Sequence, residues 1–296
     1  MSQSMIPRER APYSALVDRA GLRLPGDARI VVWTIVNLEV WDIARAMARQ
    51  VIPAPTGQVL LPDVPNWSWH EYGMRVGVWR FFDLYERLKL APTLSINARV
   101  CVDYERVARE ARARGWEPMG HAWEQMPIHK VEDQPAMIAK AQDTLEGYWG
   151  KRPIGWLGPG LTQTLTTPEH LAEAGIKYMG DWVYDDEPTV VATAKGPLVT
   201  LPYSVELNDI PMMLVQHHEA EHFYRRCADS FDRLYAEGET RAKIMAIAIH
   251  PYISGQPFRI PYLERVYDYI NRVPGVLHWT GAEIYDWYNR LAKVHS

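Results

Sequence analysis

The feature that most constrains this chain is a regular alternation of buried-strand and helix patterns along its length. Residues 29–40 (RIVVWTIVNLEV) are β-branched and apolar almost without a break, as a strand covered on both faces is. The helical period follows at 75–88, through Val76, Trp79, Phe82, Leu84 and Leu88. The order then repeats: strand 93–100, helix 103–114 with Asp103 as N-cap, strand 117–123, and helix 133–150 between an Asp133 cap and Gly150. A short strand at 154–157 precedes a helix opened by a Thr166/Glu169 capping box and ended at Gly175, and 176–182 is the next strand. Residues 183–216 are irregular, with strand-like pieces at 189–193 and 198–203. Beyond them come a long helix from Glu219 to Glu237, strand 243–249, helix 261–273, strand 276–279 and a last helix behind a Thr280/Glu283 capping box.

Seven strands, each followed by a helix or a helix-bearing excursion, mean a parallel sheet. No GxGxxG or GxxxxGK[ST] follows a strand, which removes the main support for an open nucleotide-binding sheet. The sequence therefore predicts an α/β fold, a (β/α) barrel forming one domain over residues 1–296. Residues 41–74, with Pro53, Pro55, Pro62 and Pro65, are expected to be a long loop insertion after the first strand, without regular structure, lying over the barrel as a lid.

Composition narrows the function. A net charge of −4 leaves no basic field for nucleic acid. Cys101 and Cys227 are the only cysteines, too few for a disulfide scaffold and too far apart for a zinc knuckle. No run approaches 18 apolar residues and the N-terminus has no apolar h-region, so a cytoplasmic protein without a membrane partner is expected.

Barrel enzymes carry their chemistry at the C-terminal ends of the strands. There the sequence puts Asn37 and Glu39, Asn97, His121, Asp181 with Trp182, and His250. A carboxylate and two histidines at one rim are better explained by catalysis than by strand capping.

The segments around these residues carry a resemblance. VWTIVNLEV, EYGMRVGVWR, GHAWEQ, GWLGPG, GDWVYDDEP, LPYSVELND and AIAIHPYISGQPFR resemble, in order, motifs of the polysaccharide deacetylase (carbohydrate esterase family 4, NodB-homology) superfamily, and more closely its allantoinase-type branch. The likeness runs over roughly residues 28–290 and implies a distorted (β/α)7 barrel, a homo-oligomer, and hydrolysis of a C–N bond. Deacetylases of the superfamily use a paired aspartate, one acid as base and the next as metal ligand, and two histidines spaced HxxxH. Here the pair aligns with Glu39 and Val40, the second histidine with Gln125, and an arginine usual in the third motif with Leu157. Two of three metal ligands are missing, so no cofactor is expected. The alternative is a single divalent ion such as zinc held by relocated ligands, with Asp42, Glu124 and His129 as the nearby candidates.

His218-Glu219-Ala220-Glu221-His222 matches HExxH, the zinc-protease signature, but falls at a helix start with no third ligand downstream. It reads as a solvated acidic turn favoured by the helix dipole, although the resemblance implies that this segment closes over the site, which would let His217 and His218 reach the pocket. No GxSxG elbow occurs, and Cys227 falls on a buried helix face. His70, His170 and His278 read as structural or exposed.

The expected reaction is hydrolysis of a small cyclic amide, ureide or imide. Glu39 would activate water, with its pKa raised by Trp33 and Trp41; His250 would protonate the leaving nitrogen or polarise the carbonyl; His121 would orient water or stabilise the oxyanion. Asn37, Asp181, Asn208 and Asp209 would hold the ring's polar edge, and Trp41, Trp123 and Trp182 would wall it. Tryptophan outnumbers phenylalanine 12 to 5, and Trp33, Trp41, Trp67, Trp69, Trp123, Trp156 and Trp182 all fall near the proposed site or its lid, which predicts an aromatic-walled pocket. A metal-dependent N-deacetylase and a catalytically inert binding barrel are the other two readings.

Overall fold

The structure, a computed structural model, describes residues 5–55 and 57–294. Its central strand, β1 (Ile30–Leu38), is buried at every residue. Val31, Trp33 and Ile35 point into the barrel, whereas Ile30, Val32, Val36 and Leu38 face the helices outside, so two apolar layers meet on one strand.

The remaining strands are β2 (Thr93–Ile96), β3 (Glu117–Gly120), β4 (Gly155–Trp156), β5 (Tyr178–Met179), β6 (Thr189–Val191), β7 (Leu198–Thr200), β8 (Lys243–Ile249) and β9 (Val276–His278). They run in the order β6-β7-β5-β4-β3-β2-β1-β8, all parallel except the β6–β7 hairpin. Along β1, β8 pairs with Ile30–Val36, β9 with Ile30–Val32 and β2 with Ile35–Leu38. A strand has only two edges, so β9 and β2 share one of them in succession. Between β7 and β8 a single bridge, Asn208 to Ala248, stands in for a stave. The sheet thus curls into the expected distorted barrel, with nine strands among the described residues rather than seven. The extra pair forms from the two strand-like pieces of the irregular stretch.

Several local expectations hold. Asp133 accepts from the Ala136 amide at 2.9 Å, Gly150 ends its helix at φ 72°, and Thr280 and Glu283 exchange both capping bonds. Two caps fail. Asp103 closes a short turn, Val100–Asp103, and the next helix, Glu105–Ala113, begins without a side-chain cap. Thr166 makes no capping bond either, because Glu169 is taken by the buried Arg10 in a bidentate pair at 2.6 Å.

The insertion is more ordered than its prolines suggest. A helix runs through Val64–Tyr72, a π turn at Gly73–Gly77 and a second helix at Val78–Leu88, with Pro65 tolerated in the first turn and Asp63 capping Asn66. Buried Asn66 accepts from the Val51 and Ile52 amides and donates to the Ile52 carbonyl, which pins the preceding loop. The helix then presses on the turn after β8. A Cβ on Gly73 would lie 2.7 Å from the Tyr252 amide nitrogen, and one on Gly77 would lie 2.1 Å from the Pro251 carbonyl oxygen, so only glycine allows this approach. Among the described residues no helix is long and apolar enough to cross a membrane.

Candidate active site

The C-terminal strand ends open into a cavity of about 750 Å³. Asn37, Glu39, Trp41, His121, Asn208 and His250 of the expected residues line it.

Glu39, the residue after β1, is 8% exposed, and its two oxygens have different surroundings. Oε2 accepts from Trp41 Nε1 at 3.1 Å and from the Tyr252 hydroxyl at 3.3 Å. Oε1 faces His250 Nε2 at 3.5 Å and His121 Nε2 at 3.9 Å. One oxygen is therefore held by donors and the other left facing the histidines.

His250, the residue after β8, is fixed from behind. Asp209 accepts from its Nδ1 at 2.6 Å, from its amide at 2.8 Å and from Ser254 Oγ at 2.7 Å. Burial opposes a charge on this ring, but Asp209 and Glu39 on either side outweigh it and raise the pKa to about 9. Burial likewise pushes Glu39 up, and the His250 imidazolium more than reverses it, leaving the carboxyl well below the usual range. The raised Glu39 pKa expected from Trp33 and Trp41 is thus corrected in sign. A buried cation decides it, and Trp33 lies deeper in the barrel, donating to Thr93 Oγ1 at 2.8 Å.

His121 is held by its Nδ1 on the Leu157 carbonyl. A carbonyl only accepts, so Nδ1 carries the proton and Nε2 a lone pair, without a hydrogen-bond partner. Burial lowers the pKa of this ring and keeps it neutral. It can receive a proton or orient water but has none to give an oxyanion. A better donor is Tyr203, which lines the cavity and whose oxygen accepts from Asn208 Nδ2 at 3.0 Å, leaving the hydroxyl proton free.

Other expected residues lie elsewhere. Asp209 is fully buried behind His250 and does not reach the cavity. Asp181 accepts from the Gly158 amide and Gln163, and burial raises it to about 7. Trp182 donates to Gln163, and both Asp181 and Trp182 face a separate groove beside the N-terminal segment. Trp123 lies under the Lys140 ammonium, 3.5 Å from its ring centre, and Trp156 is fully buried in an outer cluster. Of the seven tryptophans only Trp41 lines the cavity, whose walls are otherwise mostly aliphatic: Met47, Met126, Leu157 and Leu161. Asn97 ties Val40 and His121 together from beneath. His70 is structural, packed between Trp41, Trp69 and Tyr252 with Nδ1 on the Asn66 carbonyl. His218 precedes the helix Ala220–Glu237 and packs edge to face on His222 at 5.2 Å between ring centres, with no third ligand in reach among the described residues, and neither His217 nor His218 lines the cavity.

Tyr203 and Tyr252 were not singled out by sequence reasoning. Both sit inside segments that carry the resemblance, but tyrosine is common in cores and nothing in its spacing marks a site.

The donor set fits a divalent metal poorly. Val40 packs into the outer helix layer, Glu124 is shared by Arg45 and Arg99 at 2.6 Å each, and Asp42 pairs with Arg45. His129 does not line the cavity. His121 remains as one strong ligand beside Glu39, with the His250 imidazolium repelling a cation. Among the described residues no group of three or more His, Cys, Asp or Glu could hold a metal.

No family model matches the chain. It is 25% identical over 241 residues to a Schizosaccharomyces pombe protein named as a polysaccharide deacetylase, covering 73% of this chain and 74% of that one. A Pseudomonas aeruginosa structure titled as a polysaccharide deacetylase superposes with a TM-score of 0.84 at 27% identity, over 92% of this chain and 95% of that. The crystal structure of Puue allantoinase gives 0.81 at 26%, over 90% and 92%. These likenesses give the chain the polysaccharide deacetylase fold, with an allantoinase among its near structural neighbours.

Proposed function

We propose that the protein hydrolyses a C–N bond of a small cyclic amide, ureide or imide without a metal ion. The observation that carries this is the buried Glu39, one oxygen aimed at two histidine nitrogens in a cavity sized for a small molecule. Glu39 Oε1 takes a proton from water oriented by the His121 Nε2 lone pair, and the water oxygen attacks the ring carbonyl. Tyr203 donates to the oxyanion that forms. His250 Nε2 gives its proton to the departing nitrogen, the C–N bond breaks, and the proton on Glu39 returns to His250. The products are a carboxylic acid and the freed N–H group.

General acid–base catalysis contributes about 10²–10⁴-fold and each oxyanion donor about 10²–10³-fold. Without a Lewis acid such factors suit an activated ring carbonyl better than an acetamide. The names of the relatives support N-deacetylation as a second reading. Assays on a panel of cyclic amides and N-acetyl sugars, with metal analysis and added chelator, test the two. Ring opening that survives chelator is expected; loss of activity with chelator, or deacetylation alone, overturns the metal-free mechanism.

A further inference from the structure

The charges lining the cavity do not all cancel in pairs. Glu39 faces the His250 imidazolium, and Arg45 is engaged by Asp42 at 3.5 Å and by Glu124 at 2.6 Å. Arg49 and Lys130 are left over. Both line the cavity, and among the described residues neither side chain makes an ion pair or a hydrogen bond. Lys130 is exposed, which solvent readily accommodates, but Arg49 is half-buried. It lines the same cavity as Glu39 and Trp41.

A guanidinium has five N–H donors and is costly to hold partly out of water without an acceptor. Its planar fork matches a carboxylate, whereas lysine adds a mobile point charge.

We infer that the substrate carries a carboxylate beside its scissile ring, received by Arg49 with Lys130 as the second charge. This deepens the ring-hydrolase reading and rests on it. The Glu39 carboxylate repels the substrate anion, so the same charges that bind the ring also orient it. The carboxylate turns toward Arg49 and the reactive carbonyl toward the water.

Matched ring pairs test this on the full-length protein: hydantoin against hydantoin-5-acetate, and dihydrouracil against its 6-carboxylate. Binding is read by calorimetry and turnover as kcat/KM. The carboxylated members are expected to bind at least tenfold more tightly, with the advantage falling as salt is raised. Arg49→Gln is expected to cut the ratio of kcat/KM for carboxylated over neutral rings by tenfold or more, mainly through KM, and Arg49→Lys to restore part of it. Equal binding of both members, or an unchanged ratio in Arg49→Gln, overturns the inference. Arg49-dependent binding of the carboxylated ring without turnover supports the anion site and overturns the hydrolase reading. Turnover of both members of a pair at rates that Arg49→Gln leaves unchanged does the reverse.

Discussion

Two buried glutamates, one at each end of the barrel, differ in what surrounds them. Glu117 opens β3 at the floor. It accepts from Thr93 Oγ1 at 2.8 Å, the Tyr178 hydroxyl at 2.7 Å and the Ala282 amide at 3.0 Å. Every partner is neutral, and burial dominates, so its pKa is raised. Glu39 is as deeply placed but faces an imidazolium, and its pKa is lowered. Burial alone therefore says little about a carboxyl. Neutral donors on both oxygens make Glu117 a fastener between strands and the last helix. A cation beside the other oxygen keeps Glu39 ionised, as the proposed base must be.

Exchanging these roles gives the sharpest tests. Glu39→Gln is expected to lower kcat by about 10³-fold with a melting temperature close to wild type; retained turnover would remove Glu39 from the reaction. Asp209→Asn should cost about 10²–10⁴-fold in rate, because His250 loses the carboxylate that keeps it protonated. It should also change the pH profile. With His250 as the proposed acid, the wild-type rate should fall as pH rises through about 9, and the asparagine variant should lose activity at lower pH. The stability from its raised pKa is full below the ordinary histidine range and is lost over the same rise. An alkaline limb that stays in place in Asp209→Asn would contradict this pairing.

Glu117→Ala should do the opposite of Glu39→Gln. It strands three buried donors and should cost about 3 kcal/mol of stability, while turnover by the folded protein at low temperature is unchanged. Chemical denaturation beside initial rates would show both. The smallest effect is expected from Tyr252→Phe, which removes one of two donors on Glu39 Oε2. A loss of about 1 kcal/mol of transition-state stabilisation should appear in kcat rather than KM, with the acid limb of the profile moved upward. A change confined to KM would mean that Tyr252 touches substrate instead.

The residues at the strand ends were legible because two of them, Glu39 and His250, close long apolar runs, while His121 follows the short, mixed β3 that the sequence reading carried on to residue 123. Asp209 was visible but misassigned, since it comes from an irregular stretch where no periodicity tells which way a side chain turns. The tryptophans failed for a related reason. Composition counts rings, whereas strand alternation and helix packing send most of them to the outer layers or the barrel floor. The helix at Val64–Tyr72 was hidden by prolines read as breakers, although one of them fits a first turn. The pKa of Glu39 was out of reach because it depends on a partner more than two hundred residues away in sequence.

The glycine contacts between the insertion's helix and the turn after β8 also bear on how such an enzyme diversifies. The helix is seated backbone to backbone beside His250, so the frame of the proton-transfer machinery tolerates little drift. The stretch that supplies Met47 and Arg49 lies outside that seat, tethered through Asn66. Substitutions there can retune which molecules are accepted while the acid and the base keep their spacing. On the proposed mechanism, substrate range and chemistry lie on separate segments of the chain.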